Sequence, residues 1–125
     1  MNHSKPVIVI ADDNPDILRL VQLRLSKRGY EVMTAADGPS ALELVRSHLP
    51  QAVVLDWLMP GMQGPGVCAQ LKQDALTEAI PVVMLTAKAS ESDIVSGFER
   101  GADEYLTKPF EIEELDQILK RLLAT

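Results

Sequence analysis

Five polar side chains stand where apolar runs of the sequence end. Asp12 and Asp13 follow Val-Ile-Val-Ile-Ala, Asp56 ends Val-Val-Leu, Thr86 ends Val-Val-Met-Leu, and Lys108 follows Glu-Tyr-Leu-Thr. Short apolar runs rich in β-branched residues and bounded by turn residues are typical of buried strands. Since ligands of open parallel sheets bind beyond the carboxyl ends of the strands, we expect these five side chains to share one crevice.

This set of side chains suits phosphoryl chemistry with a metal ion. Three neighbouring carboxylates repel one another, and a hard divalent cation such as Mg²⁺, together with Lys108, would balance their charge. Asp56 stands alone at the end of the central strand and is the candidate nucleophile, because a carboxylate can accept a phosphoryl group. Asp12 and Asp13 are candidate metal ligands, and Thr86 is placed to hydrogen-bond a phosphoryl oxygen. Each signal alone is weak, since such residues are often turn or surface residues, but their joint occurrence is specific.

The elements that position these residues alternate between strands and helices, which is typical of an α/β fold with a parallel sheet. We predict a first helix capped by Asn14 and ended by Gly29, and a second strand at 30–34. Further helices are predicted from 38 to before Pro50, from near Pro65, from Ser90 to Gly101, and from 111 to 123. Five such units favour an open doubly wound sheet over a barrel, which needs eight.

Composition limits the function classes. The 125 residues predict a single domain, 1–125, with a core from about 6 to 123, and 46% of them are hydrophobic. A net charge of −6 argues against direct nucleic-acid binding. Cys68 is the only cysteine, which suits a reducing compartment. Neither a membrane span nor a signal peptide is apparent, so we expect a soluble, cytoplasmic protein.

From Val7 to Leu123 the sequence resembles the receiver domain of bacterial two-component response regulators. The matching motifs are Asp12-Asp13 after the first strand, Asp56-Trp-Leu-Met-Pro-Gly with Gly64 just beyond, Thr86-Ala87 after the fourth strand, and Lys108-Pro109-Phe110 before the last helix. The resemblance implies the flavodoxin-like (βα)5 fold with strand order 2-1-3-4-5.

The resemblance also implies a role for each site residue. Asp56 would accept the phosphoryl group from the phosphohistidine of a sensor histidine kinase or a histidine phosphotransfer protein. Asp13, Asp56 and the backbone carbonyl of Leu58 would bind Mg²⁺, which Mn²⁺ can replace, and Asp12 would act through water. Lys108 would pair with the phosphoryl group, and its peptide to Pro109 would be cis.

The resemblance further implies a switch. Thr86 would turn towards the phosphoryl group and the Tyr105 ring would move inward. The fourth helix, fifth strand and last helix, roughly 90–123, would report the change to an output domain or an effector protein, and would also provide the surface for a homodimer. Lys88 is hypothesised to alter hydrolysis of the phosphoryl group. The chain would thus be a signalling switch that catalyses only its own phosphorylation and dephosphorylation.

Two other functions use similar residues. A Mg²⁺-dependent phosphatase with an aspartyl nucleophile would carry a second aspartate two residues after Asp56, where this sequence has Leu58. A flavin-binding electron carrier would have a Ser/Thr/Gly-rich phosphate loop after the first strand, where this chain has Ala11-Asp12-Asp13-Asn14. Phosphorylation by a small phosphodonor would separate these functions.

Overall fold

A computed structural model describes residues 5–87 and 101–124. Each predicted apolar run forms a strand: β1 (Val7–Ala11), β2 (Glu31–Ala35), β3 (Ala52–Asp56), β4 (Val82–Thr86) and β5 (Glu104–Thr107). β3 and β4 are buried along their whole length, as expected for strands covered on both faces. The predicted fourth helix and Lys88 lie outside the described residues.

Four helices are described: α1 (Pro15–Lys27), α2 (Gly38–His48), α3 (Gly64–Gln73) and the C-terminal helix (Ile112–Leu123). The Asn14 side chain caps α1 by accepting hydrogen bonds from the backbone N–H groups of Asp16 and Ile17. Asp37 caps α2 in the same way through Ser40. Gly29 follows α1 with φ of 99°, a conformation that favours glycine. Within the described ranges, no helix has the length and apolarity that a bilayer crossing requires.

The five strands form one parallel sheet in the order β2-β1-β3-β4-β5. This is the doubly wound order expected from the resemblance. Ala11 is aligned with Leu55, and Thr86 with Thr107, so the carboxyl ends of four strands lie along one edge of the sheet. β2 lies on one side of β1, whereas β3, β4 and β5 follow on the other side, so the order of the strands reverses between β1 and β3. The crevice at this reversal is the expected ligand position.

The core has two parts, one on each face of the sheet. α1 and the C-terminal helix cover one face, where Leu25, Leu115 and Leu119 are fully buried. α2 and α3 cover the other, which includes Val45 and Cys68. Burial raises the pKa of the Cys68 thiol to about 11, so this thiol is an inert part of the core.

The second strand begins one residue later than the sequence indicated. Tyr30 was predicted to open it, but the strand covers Glu31–Ala35. The backbone N–H of Tyr30 donates to the carbonyl of Leu25, so Tyr30 belongs to the exit from α1. Its side chain is buried in the core although the residue lies outside the strand.

Candidate functional site

Three carboxylates meet at the crevice between β1 and β3. Asp12 directly follows β1 and is fully buried, Asp56 is the last residue of β3 and is 7% exposed, and Asp13 is exposed. One oxygen atom from each carboxylate lies within 4.8 Å of the others. The donor set is all oxygen, which fits a hard divalent cation such as Mg²⁺.

The loop after β1 fixes the two neighbouring aspartates in different environments. The Asp12 backbone N–H donates to the carbonyl of Ala35 at 3.1 Å, and an Asp12 carboxylate oxygen accepts from the Asn14 backbone N–H at 2.9 Å. Asp12 is thereby held inside the sheet edge, while Asp13 stays accessible to solvent. An accessible carboxylate beside a buried one suits a ligand that enters from outside.

Lys108 bridges two of these acids. Its Nζ lies 2.7 Å from Oδ2 of Asp12 and 3.3 Å from Oδ1 of Asp56. Burial alone would lower the pKa of Lys108, but the hydrogen bond and charge of Asp12, with those of Asp56, raise it above its ordinary value. The amine is therefore cationic at neutral pH. The Lys108–Pro109 peptide is cis, as the resemblance implies.

Asp56 carries an unfavourable charge. Burial raises its pKa, the charges of Asp12 and Asp13 raise it further, and Lys108 opposes them only in part. Among the residues that the structure describes, one amine thus faces three carboxylates, and a divalent cation would relieve their excess of negative charge.

A cavity of about 500 Å³ opens beside these carboxylates. It is lined by Asp13, Asp56, Trp57, Leu58, Thr86, Ala87 and Lys108. Of the seven residues that were singled out in the sequence and that the structure describes, six come together here, counting Asp12 in the carboxylate cluster. The cavity has room for a phosphoryl group against Asp56.

Tyr105, the seventh of these residues, is not among those that line the cavity. It is half-buried in β5, and its ring centroid is 6.3 Å from that of Trp57, with an angle of 39° between the rings. Trp57 itself lines the cavity. Sequence reasoning missed this link, because Trp57 belongs to the apolar Asp-Trp-Leu-Met segment and nothing in its spacing distinguishes it.

A second, apolar groove of about 590 Å³ adjoins the site. It lies between α1 and the segment from Lys108 to Glu113, and its other lining residues are Ile17, Leu20, Val21, Arg24 and Ala87. Lys108 and Ala87 line both hollows, so the groove is adjacent to the site. No motif in the sequence indicates this groove, because Leu20 recurs at helical spacing with the buried residues of α1 and yet is 52% exposed.

Comparisons with known proteins agree with this geometry. The chain is 43% identical to the alkaline phosphatase synthesis transcriptional regulatory protein PhoP of Bacillus subtilis, over 93% of this chain and 48% of PhoP. Two solved structures are similar over 95% or more of this chain and 99% of their own. The Vibrio cholerae chemotaxis protein CheY4 has a TM-score of 0.91 at 32% identity. The receiver domain of a Pseudomonas aeruginosa sensor histidine kinase, with a magnesium ion coordinated in its active site cleft, has a TM-score of 0.90 at 27% identity.

These matches cover most of this chain but only part of its curated relatives. The chain spans about half the length of the curated relatives it matches. A family model described as the response regulator receiver domain matches residues 8–120, which is most of the chain. The sheet order and the acidic crevice are those that the resemblance implies. This chain belongs to the response regulator receiver domain family, whose members act in two-component signal transduction.

Proposed function

We propose that the chain is a phosphorylation-activated signalling switch whose phosphoacceptor is Asp56. The observation that best supports this proposal is the position of the Asp56 carboxylate. It lies against the cavity, 3.3 Å from the Lys108 amine and within 4.8 Å of two other carboxylates. A nucleophile, a cation and a candidate metal site therefore surround one space that fits a phosphoryl group.

Mg²⁺ is the proposed cofactor, with Mn²⁺ able to replace it. Asp13, Asp56 and the backbone carbonyl of Leu58 would hold it, and Asp12 would contact it through water. The all-oxygen donor set of the carboxylate cluster fits a hard cation. The magnesium ion in the active site cleft of the Pseudomonas aeruginosa receiver domain supports the assignment. When bound, the ion would supply positive charge that offsets the charge of the transferred phosphoryl group.

The proposed transfer moves a phosphoryl group from a histidine ring nitrogen to a carboxylate oxygen of Asp56. The N–P bond breaks as the O–P bond forms, and the histidine keeps the electron pair of the broken bond. Lys108 neutralises charge on the phosphoryl oxygens, and Thr86, which is 5% exposed at the cavity wall, donates a hydrogen bond to one of them. Phosphoryl transfer needs mainly positioning and charge neutralisation, which this site provides.

We propose that the switch runs through Thr86 and Tyr105. Thr86 ends β4 and is aligned with Thr107 of β5, two residues after Tyr105. A movement of Thr86 towards the phosphoryl group would open space beside the half-buried Tyr105 ring, which would then turn inward. β5 and the C-terminal helix, with the fourth predicted helix, would form the surface that reports the change.

The proposed partners follow from the relatives. The phosphodonor would be a sensor histidine kinase or a histidine phosphotransfer protein. Because relatives twice this length include transcriptional regulators, we propose that residues 1–125 form one receiver domain that signals to an output domain or an effector in the cytoplasm. A homodimer would use the reporting surface, and DNA contact would belong to the output domain, since this chain carries a net charge of −6.

The groove between α1 and the Lys108–Glu113 segment is the proposed contact surface for the phosphodonor protein. It is apolar, and it shares Lys108 and Ala87 with the phosphorylation site. A donor protein seated there would bring its phosphohistidine beside Asp56. Leu20, which is 52% exposed at the rim, is the candidate anchor.

A small phosphodonor tests the central proposal without a partner protein. With acetyl phosphate and Mg²⁺, the protein should form one acid-stable, base-labile phosphoryl group, detected by intact mass. Asp56→Asn should abolish it, because an amide is not a nucleophile. Asp74→Asn, which changes an aspartate at the end of α3 that does not line the cavity, should leave it intact.

Labelling that persists in Asp56→Asn would contradict the assignment of the phosphoacceptor. Labelling that is independent of Mg²⁺, in protein freed of metal with EDTA, would contradict the metal site. Sustained hydrolysis of general phosphate esters would instead favour the phosphatase.

A further inference from the structure

The segment between β3 and α3, residues 57–63, is held in place by the start of α2. The Gly38 backbone N–H donates to the carbonyl of Pro60 at 3.2 Å. A Cβ atom on Gly38 would lie 2.1 Å from the backbone oxygen of Met62 and 2.6 Å from its Cβ. α2 and this segment thus approach more closely than any residue with a side chain would allow.

Three further contacts fix the same segment. Gly61, with φ of 78°, lies so close to Pro39 that a Cβ atom would be 2.9 Å from the Pro39 ring. The backbone N–H of Gly64 donates to the carbonyl of Trp57 at 2.9 Å. Met59 is buried in the core, with 7% of its surface exposed. Residues before and after Leu58 are therefore fixed from several sides.

We infer that Gly38 is a positioning residue for cation binding, acting with Pro39 through segment 57–63 on the backbone of Leu58. The inference rests on the proposed function, in which the Leu58 carbonyl is a Mg²⁺ ligand. Gly38 belongs to a helix that contributes no residue to the cavity lining among the described residues.

The effect depends on backbone geometry. A methyl group at Gly38 meets a backbone oxygen, which cannot rotate away as the end of a side chain can, so the segment or the start of α2 must shift. Mg²⁺ demands near-ideal octahedral geometry, with ligands at about 2.0–2.1 Å. A displacement of segment 57–63 by a few tenths of an ångström is therefore enough to weaken binding.

Titration of the purified protein with MgCl₂ tests the inference. Trp57 is the only tryptophan and lines the cavity, so its fluorescence reports binding, and calorimetry gives an independent Kd. Gly38→Ala should raise the Kd for Mg²⁺ by about tenfold, as is typical when a group that orients a ligand is lost. Thermal unfolding in EDTA would be recorded for the same samples.

Gly29→Ala is the matched control. Gly29 also requires glycine, because its φ is 99°, but a Cβ atom there meets nothing within 4 Å and the residue lies beyond the far end of α1. This variant should lower the melting temperature and keep the wild-type Kd. Equal weakening by both variants would overturn the inference, since general loss of stability would then explain the result.

A wild-type Kd for folded Gly38→Ala would also overturn the inference. If Gly38→Ala does not fold, the Kd of Pro39→Ala for Mg²⁺ tests the inference instead. Loss of the ring that lies beside Gly61 should raise the Kd about two- to threefold, which is part of the loss expected for a supporting contact. An unchanged Kd would overturn the inference. Wild-type protein that shows no saturable Mg²⁺ response would contradict the proposed metal site itself, which separates that failure from a failure at Gly38.

Discussion

At the scale of single residues, the candidate site gathers three negative carboxylates, and the Lys108 amine offsets part of their charge. Asp12 is fully buried, and a buried carboxylate is stable only with close partners. The amine at 2.7 Å is its cationic partner among the described residues, and the same amine also faces Asp56. Removal of Lys108 would leave three carboxylates that repel one another.

We therefore expect Lys108→Met to lower the free energy of unfolding by about 2–4 kcal/mol in EDTA, since it strips a buried charge of its partner. Methionine keeps most of the apolar stem, so packing changes little. Saturating Mg²⁺ should recover much of the loss, because binding to the folded state alone stabilises it. Denaturant unfolding at pH 7, with and without Mg²⁺, measures both effects.

Lys120→Met is the control of the same chemical type. Lys120 lies 3.3 Å from Asp116, but its side chain is 69% exposed and Asp116 keeps two other partners, so a loss below about 0.5 kcal/mol is expected. Equal losses in the two variants would refute the special role of Lys108.

At the scale of elements, Asp116 ties the C-terminal helix to the exit of α1. Its carboxylate is buried and accepts hydrogen bonds from the Tyr30 hydroxyl at 2.7 Å and from Arg28 at 2.9 Å. Burial alone would raise the pKa of Asp116, but the hydrogen bonds from Tyr30, Arg28 and Lys120 lower it below its ordinary value. The link fixes one element of the proposed reporting surface against the rest of the fold.

Asp116→Asn should cost about 2–4 kcal/mol at pH 7, because Arg28 and Tyr30 lose a charged acceptor. The lowered pKa sets the sign of the pH dependence. The contribution of Asp116 is complete above the pKa of an unfolded aspartate, about 3.9, and is lost as the pH falls through the lower folded value. Urea unfolding at pH 7, 5 and 3 should therefore show the wild-type advantage shrink only below about pH 4.

Glu113→Gln removes another acceptor of the same arginine. Glu113 lies 3.1 Å from Arg28, yet its side chain is 61% exposed, so the expected loss is below about 0.5 kcal/mol. If this variant costs as much as Asp116→Asn, surface charge and not the buried link accounts for the stability.

At the scale of the whole molecule, the fold and the core of the site could be predicted because both follow from one regularity. Apolar runs form parallel strands, and the residues that end them, Asp12, Asp56 and Thr86, must share one edge of the sheet. Lys108 joins them because β5 pairs with β4 in register. Strand spacing therefore predicts that these groups share one edge of the sheet, while the order of the strands along that edge was implied by the family resemblance.

The features that could not be predicted from the sequence depend on contacts between segments that are far apart along the chain. The hydrogen bond from Tyr30 to Asp116 joins residues 86 positions apart, and the approach of Gly38 to Met62 is a contact between backbones. Neither leaves a periodic pattern, since periodicity reports which face of an element is buried and not what it touches. The groove beside Leu20 was hidden for the same reason.

The last prediction concerns the groove between α1 and the Lys108–Glu113 segment as the surface that binds the proposed phosphodonor protein. Leu20→Ala should slow phosphoryl transfer from a phosphorylated histidine kinase fragment by about tenfold, the loss of about 1.4 kcal/mol expected when an apolar anchor is truncated. Labelling by acetyl phosphate should not change, since Leu20 does not line the Asp56 cavity. Leu76→Ala is the matched control, because Leu76 is 73% exposed after α3 and lines neither hollow. Slowing of both phosphodonors would point to damage at Asp56, and normal transfer from the kinase fragment would exclude the groove as the docking surface.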